Sequence, residues 1–283
     1  MIVSKGLRLS RVILSLVPAL LALLGWDLLI VVCYKVLHWG WVGSRYVPLA
    51  IFGALLGIVV GFRNSSAYAR WWEARTLWGA IVNRSRTLAR QVLTTMSTTT
   101  EQAEVAAMQR QLVLHQVAYV HALRQQLRGL DPVAAIAHLV PDEDPAKLAR
   151  EKNLALTLQT RMSMMLVASR ERGWLDQWQW QSTDESMISL MDSQGGAERI
   201  KNTPMPRQFD FFPRLFVQIY CLMLPVGMVE NMGWYTPVGS TLVGFLFLAL
   251  DKIGRDLEDP FDNTIHDVPM TAIATTIEIN LRQ

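Results

Sequence analysis

The sequence predicts an all-helical integral membrane protein with four transmembrane helices and a large helical cytoplasmic region. Three observations predict this fold class: about half of the 283 residues are apolar and only 18% are charged, four long gaps contain almost no charge, and apolar positions elsewhere recur with the period of a helix. No stretch alternates as a β-strand does, and no internal repeat is present. The apolar content excludes a disordered chain, and two cysteines exclude a disulfide-built secreted domain.

The charge-poor gaps give the positions of the four predicted spans. A helix needs about 20 mostly apolar residues to cross a bilayer, so we predict transmembrane helices at residues 12–34, 46–62, 212–229 and 232–250. The first gap could instead be a cleaved signal peptide. It is too long for one and lacks a small-residue cleavage site, so an uncleaved span is expected.

The distribution of lysine and arginine predicts the orientation. The block between the second and third spans holds 18 of the 27 basic residues, and Lys5, Arg8 and Arg11 precede the first span. The two short connections, 38–45 and 231–236, carry aromatic residues as an interfacial belt does. Both termini and the central block are therefore expected in the cytoplasm. The predicted organisation is 1–62, 63–211, 212–250 and 251–283.

The central block is predicted to be helical throughout. Helix-period apolar positions continue the second span to about residue 92, with only Ser85 out of pattern. Further helices are predicted from Glu101 to about residue 128, from Asp144-Pro145 to about residue 172, from residues 182–184 to Gly195-Gly196, and over 268–281.

Motifs for catalysis or metal binding are missing from the sequence. The five histidines are scattered, and neither a phosphate loop nor a paired CxxC motif occurs. Enzymatic activity, a cofactor and a bound metal are not expected. Nucleic-acid binding is not expected either, because acidic residues balance the basic ones. Cys33 and Cys221 lie in predicted spans and are interpreted as small apolar residues.

The second span carries two parallel stripes. Glycine recurs every fourth residue, and one residue further on an apolar side chain does the same. The glycine stripe allows close helix packing. One interpretation is packing inside a bundle with lipid on the other face; the other is that the apolar stripe lines a narrow pore that gates ions by dewetting. The stripes are Gly53, Gly57 and Gly61, and Ala54, Ile58 and Phe62.

Polar residues near the spans give further candidates. Arg63, Asn64 and Ser66, with Ser65 between them, directly follow the apolar stripe and are candidates for a pore vestibule, although any helix leaving lipid shows such residues. Glu230 could contribute a negative pore mouth. Asp27 lies within the first span and is expected to face the bundle interior, because a lone carboxylate in lipid is costly. The acidic run at 256–262 is either a turn between helices or an oxygen-rich cation site.

Several blocks carry a family resemblance. They are GFRN at 61–64 with AYARWWEAR at 67–75 and LWG at 77–79, ERI at 198–200 with TPMP at 203–206, and LEDPF at 257–261. Through these blocks the sequence resembles the bacterial branch of the bestrophin family. The resemblance implies a homopentameric channel for small monovalent ions in the bacterial inner membrane, with five second spans around one central pore. Its implied partners are further copies of the chain, membrane lipid and the permeant ions.

The resemblance also assigns site residues. The family's hydrophobic neck falls on Ala54, Ile58 and Phe62, with Ala54 smaller than the family pattern expects, and its cytosolic restriction falls near Trp178. The continuous acidic run that clasps calcium in animal members is lost after Asp262, so calcium activation is not expected. Bacterial relatives are similar to cation channels, so cations are favoured over anions. The alternative is a non-conducting, membrane-anchored helical scaffold or sensor.

Overall fold

The computed structural model describes residues 9–44 and 46–283. Lys5, Arg8 and Arg45 lie outside the described residues. Every regular element in the described part of the chain is helical, which confirms the all-helical fold class. The α-helices are α1 Leu9–Lys35, α2 Leu49–Thr95, α3 Gln102–Leu127, α4 Val133–Ile136, α5 Pro145–Leu148, α6 Leu154–Glu171, α7 Gln177–Asn202, α8 Arg207–Met232, α9 Thr236–Glu258 and α10 Met270–Arg282, with 3-10 turns at Gly40–Val42 and Gly233–Tyr235.

The chain divides into two compact units. The apolar unit comprises Ile2–Trp71 and Pro204–Asp259, and the polar unit comprises Trp72–Thr203 and Pro260–Gln283. Helix α2 contributes its first half to the apolar unit and its second half to the polar unit.

Three segments of the described chain are long and apolar enough to cross a membrane. They are Leu14–Lys35, Leu49–Thr95 and Arg207–Glu258, which contain 18-residue stretches with mean hydropathies of 2.4, 1.5 and 1.5, respectively. The third segment contains both α8 and α9. Between these helices the chain turns at Gly233, whose φ of +54° favours glycine because it has no Cβ.

The apolar unit packs α1, α8, α9 and the first half of α2 around two clusters of buried side chains. One cluster joins Leu23 of α1, Leu56 and Val60 of α2, and Cys221 and Leu224 of α8. The other is formed by Ile30, Val31, Val42 and Val229, with Cys33 packed against it. Both cysteines are free thiols among apolar neighbours. Removal of apolar surface from solvent and close packing hold this unit together.

The polar unit is built around α3. Residues 117–120 of α3 are fully buried, and α6, α7 and α10 pack against this helix. Ser85, the exception in the apolar stripe of α2, is also buried, and its hydroxyl accepts a hydrogen bond of 2.8 Å from the Gln116 side chain. The predicted continuation of the second span, the helix after Glu101 and the C-terminal helix are all confirmed.

Two helix predictions in this unit are wrong. The single helix predicted from Asp144 to about residue 172 is two helices, because Asp144 caps the four-residue α5 and Asn153 caps α6 by accepting from the Leu156 amide at 3.0 Å. The four-residue α4 had no counterpart in the predictions.

The helix predicted to begin at residues 182–184 begins after Asp176 instead. Asp176 and Gln179 form a reciprocal capping box there. The helix also continues through Gly195-Gly196. A Cβ on Gly196 would lie 2.9 Å from the Leu77 side chain, so this glycine allows the close approach of Leu77 on α2 instead of ending α7.

Candidate functional site

The predicted neck stripe lies on the face of α2 that its own chain leaves uncovered. Ile58 is 56% and Phe62 70% exposed, and Ala54 is also exposed. The buried face of the helix carries Leu56 and Val60. At about 100° per residue, Ile58 lies about 200° around the helix from Leu56. The three stripe residues therefore share one apolar face opposite the packed one.

The three glycines of the stripe differ in how closely other helices of the same chain approach them. A Cβ on Gly53 would lie 2.6 Å from the Tyr220 hydroxyl oxygen, so a larger residue here would require the Tyr220 side chain of α8 to shift. A Cβ on Gly57 or Gly61 would meet no described atom within 4 Å. Gly53 thus fits the interpretation of packing inside the bundle, whereas Gly57 and Gly61 leave a shallow surface beside the exposed stripe.

Arg63, a predicted vestibule residue, does not lie on the exposed face of α2. Its side chain is 3% exposed, and Nη1 donates to Asp251 at 2.9 Å, both to Oδ1 and to the backbone carbonyl oxygen. Nη2 donates to the Asp210 carboxylate. A buried guanidinium requires such partners, because an unpaired charge in this environment is costly. Arg63 therefore joins α2 to α8 and α9.

The other residues of the predicted polar ring are arranged differently. The Asn64 side-chain amide donates to the Leu250 carbonyl oxygen at 2.9 Å and is partly buried. Ser65 and Ser66 are exposed, and the Ser66 hydroxyl donates to the Phe62 carbonyl oxygen at 3.0 Å. Ser65 lies about 180° from Leu56 around the helix. Ser65 therefore extends the exposed stripe with a hydroxyl group.

The sequence reasoning missed Asp210 and Asp251 as partners of Arg63. A signal was present. Arg63 directly follows the second predicted span, Asp210 shortly precedes the third, and Asp251 directly follows the fourth. In the predicted topology these three positions lie at the same membrane boundary, so opposite charges there are expected to pair.

Asp27 is a second acidic side chain that is buried in the apolar unit, apart from the ion pairs of Arg63. Its carboxylate is fully buried and accepts hydrogen bonds of 2.9 Å from Ser240 and from Thr241 on α9. The expected orientation of Asp27 toward the bundle interior is confirmed. Its partners were not predicted, because hydroxyl residues in the fourth span carry no charge signal.

The remaining candidates lie apart from the stripe in the sequence, either on other helices or in the segment that follows α9. Glu230 is partly buried near the C-terminal end of α8, and Trp178 is 77% exposed in the first turn of α7. In the acidic run, Asp262 pairs with Lys201 at 2.7 Å and Asp256 with Lys252 at 2.9 Å. No cluster of three histidine, cysteine or carboxylate side chains suited to a metal occurs among the described residues.

The fold is that of a known class of helical membrane protein. The crystal structure of a bacterial bestrophin homologue from Klebsiella pneumoniae is similar to this chain with a TM-score of 0.87 and 28% identity, covering 94% of this chain and 97% of that one. The family model described as bacterial and fungal bestrophin protein matches residues 5–283. The chain belongs to the bestrophin family.

Curated relatives extend this similarity. The relative from Mesorhizobium japonicum is 34% identical over 83% of this chain and 73% of its own length. YneE from Escherichia coli K12 is 33% identical over 83% of this chain and 75% of its own length. The relative from Ralstonia nicotianae is 31% identical over all of this chain and 94% of its own length. Each is named a voltage-dependent anion channel-forming protein, and these names with the family indicate a channel and not an enzyme.

Proposed function

We propose that five copies of this chain surround one central pore and conduct small monovalent ions across the bacterial inner membrane. The observation that carries the proposal is the apolar stripe of α2, which is exposed on the face opposite the helix's own packing. The family and the names of the relatives support a channel. Four spans with both termini in the cytoplasm are the proposed topology, supported by the exposed aromatic residues at the two 3-10 turns, Trp41 and Trp234 among them.

The exposed face of α2 favours a pore over simple contact with lipid. The helix runs without interruption to Thr95, and beyond the predicted span it still exposes about half of the Tyr68 and Trp72 side chains. Large exposed aromatic side chains outside a membrane are typical of protein interfaces. Lipid cannot cover these residues, so another copy of the chain is the proposed cover. Gly57 and Gly61 allow neighbouring helices to approach closely.

The proposed neck is a set of stacked apolar rings. Five copies of Phe62 and five of Ile58 form the narrow part, and Ala54 forms a wider outer ring. An apolar constriction of this kind impedes ions because water leaves it readily. Ser65 provides hydroxyl groups just beyond the neck. Glu230 and Trp178 remain the proposed mouth and cytosolic restriction, respectively, and Asn64 and Ser66 the proposed vestibule residues.

The proposed channel is not activated by calcium, and its permeant ion is proposed to be a cation. Support for the first statement is the pairing of Asp262 with Lys201, which leaves this carboxylate engaged within the protein. The preference for cations follows the bacterial branch of the family, whereas the names of the curated relatives specify anions. Arg63 does not bias the path toward anions, because Asp210 and Asp251 neutralise its charge.

Ion flux through reconstituted liposomes tests the neck. Ile58→Ala and Phe62→Ala widen the rings and are expected to raise flux severalfold. Val59→Ala is the matched control, because Val59 is the adjacent aliphatic residue but lines the groove between α2 and α8. Unchanged flux in both well-folded stripe variants contradicts the neck assignment.

The assembly is tested first by mass in detergent. Five chains of 32.0 kDa give a protein mass of about 160 kDa. A monomer has too few helices to enclose this pore, so a mass of one chain would favour the non-conducting scaffold.

A further inference from the structure

A pocket of about 290 Å³ opens in the apolar unit between α1, α8 and α9. Both apolar and charged side chains line the pocket. Leu16 and Leu248 contribute apolar surface, and Arg214, Lys252 and Arg255 bring three basic side chains to the same opening. The pocket thus combines an apolar wall with a rim of three basic side chains and one carboxylate, that of Asp251.

The three cations are not equally neutralised. Lys252 pairs with Asp256 at 2.9 Å, and Arg255 pairs with Asp251 at 3.0 Å. The other Asp251 oxygen already accepts from Arg63 (2.9 Å). Arg214 is exposed and has no acidic partner among the described residues. The pocket therefore offers uncompensated positive charge through one guanidinium.

The basic residues of the pocket lie next to the predicted spans. Arg214 lies at the start of the third predicted span, and Lys252 and Arg255 directly follow the fourth. In the proposed topology all three lie at the boundary with the cytoplasm. The cytoplasmic leaflet carries the anionic lipids, and basic pockets between membrane helices on this side suit their headgroups.

We propose that this pocket binds the phosphate headgroup of an anionic phospholipid of the inner leaflet. The Arg214 guanidinium donates to the phosphate oxygens, and an acyl chain follows the apolar wall at Leu16 and Leu248. A guanidinium suits this contact because its forked donors match phosphate geometry. The apolar wall favours a lipid over free phosphate, which would leave that wall uncovered.

Lipid titration followed by native mass spectrometry of the detergent-solubilised assembly tests the proposal. The probes are phosphatidylglycerol, phosphatidylcholine with the same acyl chains, and inorganic phosphate as a competitor. Wild type is expected to retain phosphatidylglycerol in preference to phosphatidylcholine. Arg214→Gln is expected to weaken phosphatidylglycerol binding about fivefold, the effect of removing one basic residue near a membrane surface. Arg214→Lys is expected to restore most of it.

Arg207→Gln is the matched control. Arg207 is an exposed arginine on the same helix, two turns earlier, outside the pocket lining. Equal retention of both lipids, an unaffected Arg214→Gln, or an equal loss in Arg207→Gln would overturn the proposal. Displacement of the lipid by millimolar phosphate would assign the pocket to free phosphate instead. The proposal rests on the proposed membrane topology and not on conduction, so its failure leaves the flux result unaffected.

Discussion

Replacement of Arg63 by glutamine is expected to destabilise the protein by about 3–5 kcal/mol. This magnitude is that of removing one partner from a buried ion pair, where the remaining charge loses its compensation. The ion pair is buried, since the Arg63 and Asp251 side chains are 3% and 4% exposed, and Arg63 Nη1 lies 2.9 Å from Asp251 Oδ1. Arg255 still contacts the other Asp251 oxygen at 3.0 Å, which places the expected loss toward the lower end.

The assay is thermal unfolding of the purified protein in detergent, followed by far-ultraviolet circular dichroism. A loss of this size lowers the unfolding temperature by on the order of 10 °C. Combining Arg63→Gln with Asp251→Asn removes both charges, so the double variant is expected to lose less stability than the two single variants added together. Arg207→Gln, an exposed arginine outside the network, is expected to change stability by about 0.5 kcal/mol or less.

If Arg63→Gln unfolds at the same temperature as Arg207→Gln, the ion pairs of Arg63 do not stabilise the apolar unit. If the Arg63 and Asp251 effects simply add, the two residues act independently, in contradiction to their direct contact.

Two further predictions concern buried polar groups. Asp27→Leu leaves two hydroxyls of the fourth span without their acceptor and is expected to cost about 1–3 kcal/mol, whereas Asp27→Asn, which keeps an acceptor, should cost less in the same thermal assay; equal losses would contradict the role of these hydrogen bonds. Burial lowers the pKa of His121 below its usual value of 6.5, opposed in part by a 2.9 Å hydrogen bond to Glu278, so the folded state favours the neutral ring. The contribution of neutral His121 to the stability of the fold is therefore fully present above pH 6.5, and it is lost as the pH drops through the lowered pKa. His121→Gln is expected to weaken the decrease of the unfolding temperature with falling pH below pH 6.5. An unchanged pH profile would show that His121 does not contribute to this decrease.

Much of the fold was predictable because its helices follow local rules. The apolar period of α2 indicated one long helix, and Gly129, with φ of +67°, follows the end of α3 as a glycine stop does. The errors arose where tertiary packing or a competing cap decided the result. Gly195-Gly196 has the composition of a helix end, but α7 continues through it, and Gly196 lies where a Cβ would meet the Leu77 side chain. Asn153 was overlooked as a cap because a stronger Asp-Pro signal lies just before it.

The candidate site was predictable in part. Spacing alone identified Ile58 and Phe62 as one face of a helix, and the structure places that face opposite the packed one. The pairing of Arg63 was not predicted, because it depends on residues about 150 and 190 positions away in sequence. A charge next to a predicted pore looks the same in the sequence whether it faces water or a carboxylate.

Single-channel recording of the purified protein in planar bilayers, under asymmetric salt, is the most direct test of the central claim that the α2 stripe lines an ion-conducting pore. The account predicts discrete current steps with a reversal potential displaced from zero, toward the equilibrium potential of the cation, and larger steps or a higher open fraction in Phe62→Ala. Bilayers that stay silent with folded, pentameric wild type and with Phe62→Ala would contradict it.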